Sequence, residues 1–294
     1  MKSFAGLEKI VKRDYPLAGE TWLRIGGPAE FLIEPCTVDQ LRQVVTACRE
    51  ARVSMRVLGR GANLLVDDAG IKGAVIRLCQ GEFADVRPTD VGIRAAAGAD
   101  MGKLVLRCVR EGRSGLEALT GIPGSVGGCV RMNAGGVFGD IGNAIESVEV
   151  MSADGEVFTR YRGDLAFAYR WTNITAPFIL AAEFRLSEDD PHRILKQVKQ
   201  IWIYKKNTQP LGSRNAGCIF KNPRGLSAGA LIDRAGLKGK RVGGAHVSLK
   251  HANFILNRGG AVAQDVLGLL ELAFDRVFNQ TGVRLTTELR ILGE

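Results

Sequence analysis

This sequence has no metal-site spacing and no disulfide framework. Its three histidines are His192, His246 and His251. Its six cysteines, Cys36, Cys48, Cys79, Cys108, Cys129 and Cys218, are scattered, with no Cys-x-x-Cys pair and no histidine at ligand distance, so no metal is expected. No apolar run is long enough to span a bilayer, and no membrane association is expected. The opening MKSFAGLEKIVKRDYPLAG intersperses charges and lacks an apolar stretch ending in small residues, so it does not read as a signal peptide. Together these absences predict a reducing, cytoplasmic setting. Internal repeats and low-complexity tracts are missing as well. No Gly-x-Gly-x-x-Gly opens a helix, which argues against a doubly wound dinucleotide-binding domain.

What is present is an ordinary globular composition. With 294 residues, 46% of them hydrophobic, the chain can bury about three quarters of the surface its unfolded form exposes. Its charge is unevenly distributed. Residues 191–250 hold 13 Lys and Arg against the single acid Asp233, a local +12 within a net +9, so the remainder sums to −3. Such a segment meets something anionic, and charge alone leaves nucleic acid, a membrane surface and a diphosphate ligand open.

Periodicity places the elements. Thr37-Val-Asp-Gln40 has capping-box spacing, and Leu41, Val44, Val45 and Cys48 follow at helical intervals. Strands are expected at Met55 to Leu58, Ala74 to Leu78 and Gly92 to Ala97. A second helix starts at Asp100, shows Leu104, Val105, Cys108 and Val109 on one face, and stops near Gly112. Ala153-Asp154-Gly155 marks a hairpin between strands, and Phe178 to Leu186 is a further strand. Asp190-Pro191 starts a helix with Ile194, Leu195, Val198, Ile201 and Trp202 on one face. Helices are also expected at Ser227 to Ala235 and near Val262 to Phe278, and a closing strand at Arg284 to Leu292, whose inward residues would be Val283, Leu285, Leu289 and Ile291. Strands and helices mix without regular alternation, which indicates α+β. The charge shift sets a border at 190, giving domains 1–190 and 191–294, the first in two lobes of roughly 1–80 and 81–190.

Two stretches are glycine-dense, GRGAN at Gly59 to Asn63 and GIPGSVGGCVRMNAGGVFG at Gly121 to Gly139. There the backbone turns repeatedly or approaches a ligand closely, and successive N–H groups can point at phosphate oxygens. Alone, either loop reads equally as tight turns.

Seven segments stand in a fixed order: RIGGPAE (24–30), LGRGANLLV (58–66), GLEALTGIPGSVGGCVRMNAGG (115–136), FAYR (167–170), AGCIFKNP (216–223), AGLKGKRVGGAHVSLKHANFILN (235–257) and TELRILGE (287–294). From near residue 20 onward the series resembles the UDP-N-acetylenolpyruvoylglucosamine reductase family, in its shorter subtype. The resemblance implies a two-lobed FAD-binding domain of the vanillyl-alcohol oxidase type and a C-terminal α+β substrate-binding domain. It further implies NADPH-dependent reduction of UDP-N-acetylglucosamine enolpyruvate to UDP-N-acetylmuramate in peptidoglycan synthesis, by a monomer with no nucleic-acid partner. FAD contacts fall on Gly59, Arg60, Gly61, Ala62, Asn63 and Leu64, on Gly121, Ile122, Pro123, Gly124, Ser125, Gly127 and Gly128, and on Asn133, Ala134 and Gly135. Both loops lack histidine and Arg60 stands where an attaching histidine could lie, so noncovalent FAD is expected. Ala62 replaces the serine of many members, removing one hydroxyl.

By the same resemblance Arg170 holds the substrate carboxylate, Glu288 hydrogen-bonds the developing enolate and Cys218 donates a proton, while Tyr169, Lys221 and Asn222 contact substrate. Most members carry serine at the position of Cys218. A thiol, with an ordinary pKa near ~8.5, is a much stronger acid than an alcohol, and basic surroundings favour its thiolate. The other five cysteines read as packing, and His246 and His251 as structural. Two other functions compete: a flavin oxidase of the same fold acting on an alcohol or lactone, and a nucleic-acid-binding surface on the basic segment. The few aromatics in that segment weigh against the last.

Overall fold

The computed structural model describes residues 4–293, and it is α+β, as expected. It divides into two compact units. The first comprises the chain through Arg13, Phe31–Arg60 and Gly73–Tyr204; the second comprises Asp14–Glu30, Gly61–Lys72 and the chain from Lys205 onward.

In the first unit a five-stranded sheet runs in the order Val157–Tyr161, Ile145–Met151, Phe178–Arg185, Gly92–Ala96, Val86–Thr89. Every neighbouring pair is antiparallel. The middle strand is buried from Phe178 to Ala182 and again at Phe184, the near-continuous apolar run that a strand covered on both faces requires. The expected hairpin joins the first two strands, with Met151 paired to Val157.

Two helices complete this core. In α1, Val38–Glu50, Thr37 Oγ1 accepts from Gln40 N at 3.1 Å. The Gln40 side chain accepts from Cys36 N at 2.8 Å, one residue beyond the reach of a capping box. In α2, Met101–Arg110, the Asp100 carboxylate caps the first turn by accepting from Lys103 N at 2.8 Å. Leu104, Val105, Cys108 and Val109 are buried as the periodicity requires; full burial of one such aliphatic side chain contributes about 1.5–3 kcal/mol. A short α3, Val126–Arg131, starts inside the second glycine stretch.

Helix α4, Pro191–Thr208, begins where expected, Asp190 Oδ1 accepting from His192 N at 2.9 Å. Ile194, Val198 and Ile201 are buried, but Trp202 is 46% exposed. Eight residues on from Ile194, it sits roughly 80° round the helix, at the margin of the buried stripe, where Leu195 is likewise only partly buried. The chain passes from the first unit to the second inside this helix, at 204/205, and also at 13/14 and 60/61, and returns at 30/31 and 72/73. The border expected at 190 therefore lies within the first unit. The charge shift there reports the composition of a solvent face, whereas burial decides membership: Ile194 and Val198 belong to the first core, and Leu23, Ile25 and Leu65 to the second.

The second unit holds α5, Ala228–Arg234, and α6, Ala263–Thr281, with an antiparallel sheet of Arg241–Val242, Ala245–Val247 and Ile255–Asn257. The Asp68 carboxylate, distant in sequence, caps α6 by accepting from Ala263 N at 2.9 Å and Gln264 N at 3.3 Å. The single closing strand expected here is two. Thr286–Thr287 pairs antiparallel with Phe220–Lys221, and Arg290–Leu292 pairs parallel with Leu64–Val66. Because the chain changes partners at Glu288 and Leu289, the expected alternation fails, and Ile291 is 47% exposed while Leu285 and Leu289 are buried. Among the described residues no helix is long and apolar enough to cross a membrane.

Candidate functional site

The GRGAN loop leaves the strand Met55–Leu58 and runs to the strand Leu64–Val66, which Leu64 opens. Gly61 has φ +62°, and a Cβ there would stand 2.1 Å from Glu20 O, so only glycine fits. Among the described residues, the backbone N–H groups of Arg60, Gly61, Ala62 and Asn63 donate to no protein acceptor. The Arg60 guanidinium pairs with Asp100 at 3.2 Å. Asn63 turns its remaining groups elsewhere: its Nδ2 donates to Glu288 O at 3.0 Å, and its carbonyl accepts from Arg290 N at 3.1 Å.

In the second glycine stretch Ser125 Oγ caps α3, accepting from Gly128 N at 3.4 Å. Gly127 N donates to Ala97 O at 2.8 Å, and a Cβ on Gly127 would lie 2.8 Å from Ala97 Cβ. The amides of Gly127 and Gly128 thus bond to the protein, and Gly127 is glycine because helix and strand touch there. Ile122 N donates to Leu119 O at 3.0 Å, and Pro123 has no N–H. The amides of Gly121, Gly124 and Ser125 have no protein acceptor among the described residues. A Cβ on Gly59 would lie 2.7 Å from Ser125 Oγ, so the start of the first loop abuts the second. Each loop presents amide donors without a protein acceptor, as a phosphate-binding loop does, and each by itself fits a diphosphate such as that of FAD.

Arg170 and Tyr169 form the tip of a hairpin between Phe167–Ala168 and Trp171–Thr172. Arg170 has φ +54°, uncommon for a residue with a side chain. Its Nη2 donates to Gly135 O at 3.0 Å, and its guanidinium lies 5.1 Å from the Tyr169 ring centroid. Asn133, only 1% exposed, fastens this hairpin: its Nδ2 donates to Ala168 O at 2.8 Å and its Oδ1 accepts from Gly142 N at 3.0 Å. Ala134 N donates to Cys129 O and its carbonyl accepts from Ile141 N. Asn133, expected at the cofactor, thus bonds to the hairpin that carries Arg170, and Ala134 bonds to Cys129 and Ile141.

In the second unit Cys218 is half-buried and precedes a residue whose carbonyl anchors the Glu288 segment: Ile219 O accepts from Glu288 N at 2.8 Å and from Leu289 N at 3.2 Å. Lys221 lies on the adjoining strand opposite Thr286. Asn222 Oδ1 accepts from Ala228 N at 3.0 Å, where α5 begins. Sequence reasoning missed Asn253, 2% exposed, which binds Phe220 through both ends of its side-chain amide. Its signal was an amide inside the otherwise apolar run Ala252-Asn-Phe-Ile-Leu256.

The remaining thiols divide. Burial raises the Cys48 thiol to about 11 and those of Cys108 and Cys129 to about 12, consistent with packing. Cys79 is exposed and Cys36 half-buried, correcting the expectation that all five are core filler; the Cys79 thiol donates to the Glu34 carboxylate at 3.5 Å. No group of three or more His, Cys, Asp and Glu among the described residues could hold a metal.

Two family models match: "FAD binding domain" over residues 29–160 and "UDP-N-acetylenolpyruvoylglucosamine reductase, C-terminal domain" over 209–292. The UDP-N-acetylenolpyruvoylglucosamine reductase of Desulfosudis oleivorans is 40% identical over 97% of this chain and 95% of its own. Reductase 1 of that name from Bacillus cereus is 40% identical over 95% and 94%. The crystal structure of the corresponding enzyme from Thermus caldophilus superposes with a TM-score of 0.84 at 40% identity, covering 96% of this chain and 99% of that one.

Proposed function

The chain belongs to the UDP-N-acetylenolpyruvoylglucosamine reductase family and is an FAD-dependent oxidoreductase, and from that premise we propose that it reduces UDP-N-acetylglucosamine enolpyruvate to UDP-N-acetylmuramate with NADPH as the reductant, supplying peptidoglycan synthesis. The chemistry that bound FAD supplies is hydride relay from the nicotinamide to the terminal carbon of the enolpyruvyl group. The amides of Arg60, Gly61, Ala62, Asn63, Gly121, Gly124 and Ser125 hold its diphosphate. The protein otherwise orients the substrate and manages charge and protons.

Arg170 holds the substrate carboxylate, its planar donors binding more strongly as hydride arrival drives negative charge onto that group. Glu288 hydrogen-bonds the same developing enolate. Cys218 then gives its proton to the carbon beside the carboxylate, which completes the saturated lactyl ether. Lys221, Asn222 and Tyr169 contact the substrate, the lysine meeting the anionic UDP portion. The observation that carries this reading is the bond from Glu288 N to Ile219 O at 2.8 Å, which seats the Cys218 and Glu288 segments side by side.

The test is turnover itself. Purified protein should be yellow, release intact FAD on denaturation, and oxidise NADPH only when the enolpyruvyl substrate is present, with UDP-N-acetylmuramate identified by mass. Flavin reduced by an alcohol or lactone and reoxidised by oxygen would replace this reading with an oxidase.

A further inference from the structure

We propose that Asn253 is a positioning residue for Cys218, fixing the peptide that carries the thiol so that its proton is delivered to one carbon; this rests on the proton-donor reading above. Asn253 makes three bonds to the two residues that follow Cys218. Its carbonyl accepts from Ile219 N at 2.9 Å, its Oδ1 accepts from Phe220 N at 2.9 Å, and its Nδ2 donates to Phe220 O at 2.8 Å. A side-chain amide bonded to both polar groups of one residue imitates a strand neighbour. On the other side of Cys218, Asn215 Oδ1 accepts from Gly217 N at 2.9 Å. Cys218 is thus held between two asparagines, both buried.

The clamp also extends to the segment of Glu288. Ile219, held by Asn253, is the residue whose carbonyl accepts from Glu288 N, and the carbonyl of Glu288 accepts from Asn63. One shift at Asn253 therefore moves the donor and disturbs its neighbour together. Apolar packing alone would hold Phe220 less specifically, because a ring can slide in its cavity while a two-point amide bond cannot. The geometry assigns Asn253 to the proton step, not to FAD, since none of its bonds involves either glycine loop.

The experiment uses full-length holoenzyme with Asn253→Asp, which keeps the acceptor for Phe220 N and loses the donor to Phe220 O. Asn253→Gln, which keeps the amide on a longer stem, provides a second test, and Cys218→Ala is the reference. Each is followed anaerobically through flavin reduction by NADPH and flavin reoxidation by the enolpyruvyl substrate, in H₂O and D₂O. At least one Asn253 variant should retain flavin and reduce it at the wild-type rate, yet reoxidise it about 10–100-fold more slowly, the scale of loss from a misplaced reacting group. The solvent isotope effect on that phase should exceed the wild-type value, which a general loosening of the fold would not produce. Equal slowing of both phases, unchanged reoxidation, or loss of flavin from both variants would overturn the inference. If Cys218→Ala itself reoxidises at the wild-type rate, the proton-donor reading fails instead.

Discussion

Cysteine at position 218 gives the proposed proton donor a reactivity that serine would not have, because the conjugate base of a thiol is accessible near neutral pH. The other thiols provide an internal control. Cys48, Cys108 and Cys129 are buried whereas Cys79 is exposed, so those three react only when the fold opens. Brief exposure of native enzyme to iodoacetamide, followed by peptide mass analysis, should label Cys79 and Cys218 while those three stay unmodified. Substrate should protect Cys218 and leave Cys79 reactive. Early labelling of Cys129 would contradict the packing described. Arg170 poses a different residue-scale problem, since its left-handed backbone and its bond to Gly135 fix the guanidinium that we propose holds the substrate carboxylate. Strain of this kind persists where the surroundings over-determine it, and here the Asn133 bonds to Ala168 and Gly142 provide that constraint.

At the scale of elements, the GRGAN loop joins two strands and supplies amides, and its conformation depends on Gly61. Adding a methyl at a φ of +62° with a carbonyl 2.1 Å away forces the loop out of place, costing about 1–3 kcal/mol from the strained backbone alone. Gly61→Ala is therefore expected to lower the melting temperature and to lose flavin on gel filtration, with the Cys218 chemistry otherwise intact in whatever fraction remains loaded. Retention of stoichiometric flavin by this variant would remove the loop from the cofactor site. The starts of α1, α2, α4 and α5 were legible because a capping residue adjoins an amphipathic run. The start of α6 was legible too, expected near Val262 and found at Ala263, but no local pattern discloses that the Asp68 carboxylate, almost two hundred residues away in the chain, caps it. The closing strand was misread for a related reason: alternation assumes one partner, whereas the segment around Glu288 leaves one strand for another. Motif order located the Cys218 and Glu288 segments, but of the amides that hold them Asn63 was expected only at FAD and Asn253 was given no role.

For the molecule as a whole, pH acts through buried groups. His251 Nδ1 accepts from Asn253 N at 3.2 Å, and burial first, then the Lys238 charge, lowers the His251 pKa from its ordinary 6.5. The folded protein thus binds this proton less readily than the unfolded chain, so stability is complete above about pH 6.5 and falls as pH drops toward the lowered value. His251→Asn, which keeps an acceptor, should show a smaller fall in melting temperature between neutral and mildly acidic pH than the parent. An identical fall in both would place the titration elsewhere. Cofactor loading by the glycine loops and substrate protonation by a held thiol are separable steps of the proposed cycle. Anaerobic stopped-flow on Cys218→Ala tests that division most directly: NADPH should reduce the bound flavin as in the parent, and the enolpyruvyl substrate should reoxidise it far more slowly, with Cys218→Ser recovering substantial turnover. Reoxidation of Cys218→Ala at the parent rate would contradict the account.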